Sequence, residues 1–218
     1  MRFPSAMIPL AWIFAATVLP AADAPNKWEA EIAKFEKQDA DMPPAKGGNL
    51  FVGSSSVRMW KLKDSFPNHV CINRGFGGSQ LADVVQFVDR IVIPYEPKVI
   101  VLYAGDNDLA GKRTVEQVHA DYLSFVEQVR AKLPMTKIVW VAIKPSVKRW
   151  AIREKGLAAN AAIHAEIEKG NGDVYVDIWQ PMLGEDGLPR TELYLADGLH
   201  LTPAGYAVWN KLVEPHLK

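Results

Sequence analysis

Five short runs rich in valine and isoleucine alternate with helical patterns along the chain. They cover residues 49–52, 69–73, 98–104, 137–143 and 173–178. Most of them lack the polar–apolar alternation of a strand with one solvent-facing side, so we expect both faces of each strand to be covered. Such strands alternating with helices predict a parallel, doubly wound sheet with right-handed crossovers, and hence one three-layer α/β/α domain.

Five helical patterns flank these runs. Their approximate positions are 28–38, 79–91, 114–129, 151–169 and a last helix from 202 onward. Thr114 and Gln117 form a capping-box pattern at the start of the third helix. Thr202 and Pro203 supply a cap and a first-turn proline for the last one.

Composition narrows the class of partner. The 218 residues suit one domain with a full-sized core, and 25 basic side chains balance 25 acidic ones. A neutral chain without basic runs argues against nucleic acid or an anionic membrane surface as the main partner. The single cysteine, Cys71, lies in a predicted strand and is expected to be a small buried residue.

The first 24 residues are typical of a secretory signal peptide. Arg2 gives a positive start, residues 8–19 are apolar but short for a membrane span, and small residues follow. We therefore expect an exported protein, periplasmic or secreted, without stable membrane insertion after signal removal; an uncleaved anchor is the alternative. Residues 25–48 are expected to form an N-terminal helix and linker, and 49–218 the main domain.

A serine at the end of the first run is the strongest candidate for chemistry. Gly53 ends the strand, and Ser54, Ser55 and Ser56 follow where a helix begins. The carboxyl ends of parallel strands form the rim where such sheets bind ligands, and free N–H groups at a helix start attract anions. Position 57 is valine, so the G-x-S-x-G elbow is absent, and a simple helix cap remains the alternative.

A serine nucleophile needs a base, and His200 is the best-placed histidine. It lies in a loop before the last helix, with Asp197 three residues earlier. That carboxylate can accept a hydrogen bond from one imidazole nitrogen while the other nitrogen faces the nucleophile. A capping loop with an incidental D-x-x-H pattern is the alternative. We expect the remaining histidines to be structural or solvated: His69, His119, His164 and His216.

Two further loops follow predicted strands at the same rim. Residues 73–79 contain three glycines and open a helix, but their spacing is not that of a dinucleotide-binding loop. In residues 105–108, Asn107 can direct an amide N–H at an oxyanion, or belong to an ordinary polar turn. Asp106 and Asp108 lack the ligand spacing of a calcium loop, so we expect neither a metal nor a cofactor.

Together these pieces resemble the four blocks of the SGNH hydrolases, also called GDSL-type esterases and lipases. The matching segments are 51–56, 73–78, 105–108 and 197–202, in the family's order. The resemblance implies the SGNH-hydrolase fold, a three-layer α/β/α sandwich with a five-stranded parallel, flavodoxin-like sheet. It also implies a Ser-His-Asp catalytic triad, formed by Ser55, His200 and Asp197. The oxyanion hole that it implies is formed by Ser55, Gly78 and Asn107.

Three points stay open at this stage. Gly77 is an alternative to Gly78 by a one-residue slip. Ser54 stands where the family usually has aspartate, and Ser56 replaces an aliphatic residue, so either serine is an alternative nucleophile. The loop after the fourth strand is expected to line a pocket for a polar or sugar-like group, or else to be a solvated basic loop; its residues are Lys144, Arg149 and Trp150.

The resemblance implies hydrolysis of carboxylic esters through an acyl-enzyme. Family habits favour short acyl groups, such as O-acetyl on carbohydrate, as the substrate. A phospholipid-type acylhydrolase or thioesterase is one alternative, and a non-catalytic carbohydrate-binding relative is another.

Overall fold

A computed structural model describes residues 26–170 and 172–218 of the chain. The signal peptide expected at 1–24 lies outside the described residues. Within the described part, no helix is long and apolar enough to cross a membrane.

Five parallel strands form a single sheet in the order β2-β1-β3-β4-β5. The strands are β1 (Asn49–Gly53), β2 (Cys71–Gly75), β3 (Val99–Tyr103), β4 (Lys137–Val141) and β5 (Val174–Val176). Helices cover both faces, which confirms the three-layer α/β/α sandwich with a flavodoxin-like sheet.

The helices of the described residues vary widely in length. They are α1 (Glu29–Asp41), α2 (Ser55–Arg58), α3 (Leu62–Ser65), α4 (Leu81–Gln86), α5 (Val88–Ile91), α6 (Asp106–Ala110), α7 (Val115–Lys132), α8 (Arg153–Ile167) and α9 (Pro203–Val213). The capping box predicted at Thr114 and Gln117 is present, and the Thr202 side chain caps α9 through the N–H of Gly205.

Two apolar cores lie on opposite faces of the sheet. Leu50 and Val52 of β1 point into the core beneath α1, α4, α5, α7 and α8, whereas Phe51 points into the core beneath α2, α3 and α9. All five residues of β1 are buried. This two-sided burial explains why the strands lack polar–apolar alternation.

Several boundaries differ from the sequence-based prediction. The second strand was expected at 69–73 but begins at Cys71, because His69 donates its N–H to the Phe66 carbonyl and belongs to a turn. The helix expected from Ser79 is interrupted at Phe87, which separates α4 from α5. Residues 147–152 form a 3₁₀ segment before α8 rather than the first turn of an α-helix.

Gly53 closes β1 at a point where no side chain fits. Its φ is +138°, and a Cβ atom there would lie 1.9 Å from the Tyr103 carbonyl oxygen of β3. The Gly53 carbonyl accepts hydrogen bonds from Phe76 N–H at 2.9 Å and from the Ser79 hydroxyl at 3.3 Å. Gly53 therefore fixes the positions of the ends of β1, β3 and the loop after β2 relative to one another.

We predict that Gly53→Ala destabilises the protein far more than Gly187→Ala, a matched control. Gly187 also has positive φ, +73°, but nothing lies within 4 Å of its Cβ position. The control should lose about 1–2 kcal/mol of unfolding free energy through backbone strain alone. Gly53→Ala should lose more than about 4 kcal/mol, because the backbone of β3 must also move. Urea denaturation measures both, and equal losses would contradict this account of the contact.

Candidate active site

The four sequence blocks meet at the carboxyl edge of the sheet. Ser55 is the first residue of α2, directly after β1, and Asn107 lies in α6, directly after β3. Gly78 belongs to the loop between β2 and α4, and His200 to the loop before α9. Because parallel strands end at the same edge, their following loops converge there.

Ser55, His200 and Asp197 form a continuous hydrogen-bonded chain. Ser55 Oγ lies 3.1 Å from His200 Nε2, and His200 Nδ1 lies 2.5 Å from Asp197 Oδ2. An ionised carboxylate only accepts hydrogen bonds, so Nδ1 carries the proton and Nε2 is left to accept from the serine hydroxyl. These three sequence-predicted residues are therefore brought together in the expected order.

The Asp197 loop is shaped by its own carboxylate. Asp197 Oδ1 accepts the backbone N–H groups of Leu199 and His200, each at 2.9 Å. The hydrogen bond with the His200 side chain, reinforced by these two N–H groups, holds the pKa of Asp197 well below its usual range. Asp197 therefore stays ionised at neutral and mildly acidic pH.

Each oxyanion donor predicted from the sequence lies on a segment that follows a strand at this edge of the sheet. Ser55 opens α2, so its N–H has no carbonyl within the helix to donate to. Gly78 has φ +78°, a left-handed conformation that favours glycine. Asn107 Nδ2 donates to the Ser79 carbonyl at 2.9 Å, which uses one of its two amide hydrogens.

Lys144 is buried, and its ammonium is fully engaged. Its side chain is 1% exposed, and Nζ lies 2.8 Å from Asp106 Oδ2, 2.9 Å from Tyr103 Oη and 3.3 Å from Ser56 Oγ. Three acceptors match the three hydrogens of an ammonium group. Lys144 therefore directs its charge to protein groups. The sequence had left open whether this residue lines a ligand pocket or belongs to a solvated basic loop, and its burial rules out the solvated loop for this side chain.

Asp106 is the buried carboxylate at the centre of this cluster. Burial alone would raise its pKa, but the charges of Lys144 and Arg149 outweigh that effect and lower it. Burial and the nearby Asp106 charge raise the pKa of Tyr103 well above its usual value, so the phenol stays protonated. Sequence reasoning missed this role for Asp106 and Tyr103, although opposite charges after the neighbouring strands β3 and β4 were a usable signal.

Arg149 and Trp150 are also held by protein contacts. Arg149 Nη2 donates to Asn107 Oδ1 at 2.9 Å, and Nη1 lies 2.6 Å from Asp106 Oδ1. The Trp150 ring stacks against Trp179, and the Arg153 guanidinium lies 5.2 Å from its centroid. Trp150 thus packs against Trp179 and Arg153, and together with Lys144 and Arg149 it lines a small pocket.

The alternative nucleophiles are less favourably placed than Ser55. Ser54 and Ser56 are both buried, at 3% and 2% exposure, and Ser56 Oγ faces the Lys144 ammonium. His200 Nε2 hydrogen-bonds to Ser55 Oγ.

Other polar residues considered from the sequence have structural contacts. Asp108 accepts the N–H groups of Leu81 and Gly105, and burial raises its pKa to about 6. His119 pairs with Glu166 at 3.2 Å. Among residues 26–170 and 172–218, no group of three or more His, Cys, Asp or Glu side chains is arranged to hold a metal ion.

One protein-family model matches most of the chain. The model of the GDSL-like lipase/acylhydrolase family matches residues 52–208. No curated protein matched the sequence.

Solved structures share the fold at low sequence identity. A Streptococcus pneumonia protein provisionally described as a platelet activating factor is 22% identical, with a TM-score of 0.77 over 86% of this chain and 91% of its own. A GDSL-like lipase from Bacteroides thetaiotaomicron is 23% identical, with a TM-score of 0.70 over 86% and 97%. A catalytic serine-to-alanine mutant of an acetylxylan esterase from Geobacillus stearothermophilus is 14% identical, with a TM-score of 0.63 over 80% and 95%.

We predict that Lys144→Met lowers the unfolding free energy by about 3 kcal/mol, because it removes one of the two cations that pair with the buried Asp106 carboxylate. Lys148→Met, at an exposed neighbouring position, should change it by less than about 0.5 kcal/mol. Adding Asp106→Asn to Lys144→Met should recover part of the loss. Urea denaturation tests the series, and a Lys144→Met protein as stable as wild type would show that the ion pair does not hold the loops together.

Proposed function

Because the chain belongs to the GDSL-like lipase/acylhydrolase family, we propose that it is a serine esterase that cleaves carboxylic esters through an acyl-enzyme. The observation that carries the proposal is the hydrogen-bonded chain from Asp197 through His200 to Ser55. Ser55 is the nucleophile, His200 the general base and Asp197 the residue that orients the imidazole.

In the acylation step, Ser55 Oγ attacks the ester carbonyl carbon while His200 Nε2 takes the hydroxyl proton. Asp197 stabilises the imidazolium that forms. The tetrahedral intermediate then collapses, the bond to the alcohol oxygen breaks, and His200 returns the proton to that oxygen. A water molecule, deprotonated by His200, releases the acid from Ser55 in the same way.

The negative charge of the intermediate needs fixed hydrogen-bond donors. We assign this role to the backbone N–H groups of Ser55 and Gly78 and to the second amide hydrogen of Asn107. Removing one such donor typically costs about 3–4 kcal/mol of transition-state stabilisation. These donors are fixed before the substrate binds, so the reaction does not have to reorganise them.

Short acyl esters of carbohydrate are the substrate class that we propose. Support comes from the acetylxylan esterase that shares the fold. An exported protein, as residues 1–24 predict, would meet polysaccharide esters outside the cytoplasm. A phospholipid-type acylhydrolase or thioesterase is the second candidate, favoured by the family description of the matching model.

We predict that Ser55→Ala abolishes ester hydrolysis while the fold is retained. Release of p-nitrophenol from acetate, butyrate and octanoate esters, and of acetate from acetylated xylo-oligosaccharides, measures the activity. Wild type should prefer the acetyl esters. Preference for octanoate would instead favour the lipid-type acylhydrolase, and no turnover of any ester would favour the non-catalytic carbohydrate-binding alternative.

Ser54→Ala is the matched control. The Ser54 side chain makes no capping hydrogen bond to α2, so its loss should leave most of the activity. Loss of activity in Ser54→Ala, together with full activity in Ser55→Ala, would move the nucleophile to Ser54 and disprove the mechanism.

Asp197→Asn should lower kcat by about 10⁴-fold at neutral pH. The asparagine amide would donate to His200 Nδ1, so the proton would move to Nε2, which then cannot accept from Ser55. In wild type, the depressed pKa of Asp197 keeps that carboxylate charged as the pH falls below neutrality, so protonation of Asp197 should not limit kcat there. Rates measured across pH test this, and an Asp197→Asn variant with wild-type kcat would show that Asp197 does not orient His200.

A further inference from the structure

Arg149 occupies a defined position beneath the candidate oxyanion site. Its backbone departs from helical geometry, with φ −114° and ψ 18°, and forms a kink within the 3₁₀ segment that precedes α8. The side chain is only 18% exposed. One terminal nitrogen, Nη2, donates to Asn107 Oδ1 at 2.9 Å, and the other, Nη1, lies 2.6 Å from Asp106 Oδ1. The guanidinium thus bridges a buried carboxylate and the Asn107 amide.

These contacts select one orientation of the Asn107 amide. Arginine only donates hydrogen bonds, so the amide oxygen must face Arg149. The Ser79 carbonyl only accepts, so the amide nitrogen must face Ser79, at 2.9 Å. In a flipped amide, the NH₂ group would face the Arg149 donor and the amide oxygen would face the Ser79 carbonyl, so neither hydrogen bond could form. Both contacts therefore fix the nitrogen, with its second hydrogen, on the side opposite the guanidinium.

The charges of the cluster favour the same function. Lys144 and Arg149 are two cations that share one buried carboxylate, Asp106, so the cluster carries one excess positive charge. Lys144 is turned toward Ser56 and Tyr103, whereas Arg149 contacts the Asn107 oxygen. A cation at the amide oxygen draws electron density away from the N–H groups and makes them stronger donors.

We propose that Arg149 is a positioning residue for the oxyanion hole. It acts through Asn107 and does not contact the substrate. The inference rests on the proposed esterase function. Arg149 sets the orientation of the Asn107 amide and strengthens its free N–H. Asp106, held by Lys144, keeps the guanidinium in place.

The test compares Arg149→Ala, Asn107→Ala and the double variant on p-nitrophenyl acetate. Arg149→Ala should lower kcat by about 10- to 100-fold, with little change in KM. This loss should not exceed the loss in Asn107→Ala, which removes the amide donor itself. Because Arg149 acts through Asn107, the double variant should be no slower than Asn107→Ala alone. Arg149→Lys should fall between wild type and Arg149→Ala, since one ammonium cannot bridge both partners.

Chemical rescue separates positioning from a general structural defect. Millimolar guanidinium should restore part of kcat in Arg149→Ala and have no such effect on Asn107→Ala. Arg153→Ala is the matched control, because Arg153 lies over the Trp150 ring and outside the cluster, and its kcat should match that of wild type. Circular dichroism checks that each variant is folded.

The outcomes distinguish this proposal from the proposed function. Additive losses in the double variant, a rise in KM with unchanged kcat, or an Arg149→Ala protein as active as wild type would each overturn the positioning role while leaving the esterase intact. A wild-type protein that hydrolyses no ester, or full activity in Ser55→Ala, would overturn the esterase function and the role of Arg149 with it.

Discussion

The buried ion pair between Lys144 and Asp106 is the interaction on which the site depends. The Lys144 ammonium joins the segment after β1, through Ser56, to Tyr103 at the end of β3 and to Asp106 at the start of α6. Burying such charges carries a large desolvation cost, which is offset only when the hydrogen bonds are complete. Here every hydrogen of the ammonium has an acceptor. The pair thereby holds the loops after β1, β3 and β4 in one arrangement.

Two layers of contacts follow from this arrangement. Above the ion pair, Asp106 and Arg149 hold the Asn107 amide from one side, and the Ser79 carbonyl holds it from the other. Across the rim, α2 presents Ser55 to His200, whose ring is fixed by Asp197. The reacting groups therefore lie on a scaffold whose charged side chains are already paired before a substrate arrives. Such preorganisation is the main source of electrostatic catalysis in enzymes.

Sequence patterns were sufficient for the fold and for the residues that meet at the rim. Burial on both faces leaves a direct record in the strand composition, and parallel strand ends converge by geometry, so the meeting of Ser55 and His200 followed from the blocks. The start of β2 was not predictable in the same way, because the turn at Phe66 and His69 depends on a backbone hydrogen bond. The interruption at Phe87 likewise carries no proline or glycine signal.

The roles of Lys144 and Arg149 were not predicted, although the opposite charges after β3 and β4 were a signal for the pairing of Lys144 with Asp106. A basic loop after a strand is typical of a solvated surface or a ligand site, and burial depends on what packs over it. Only the three-dimensional contacts with Asp106 and Asn107 show that these charges serve the protein itself. The structure also shows what the serines on either side of Ser55 contact. Ser56 Oγ accepts a hydrogen bond from the Lys144 ammonium, and the Ser54 side chain makes no capping hydrogen bond to α2.

The most direct test of the central claim is to identify the hydroxyl that becomes covalently modified. The protein is treated with a fluorophosphonate, which phosphonylates activated serines, and the tryptic peptide 47–58 is fragmented by mass spectrometry. All three candidate serines lie in that peptide, between Lys46 and Arg58. The account predicts a single phosphonyl group on Ser55. A group on Ser54 or Ser56, or an unmodified peptide after prolonged treatment, would contradict it.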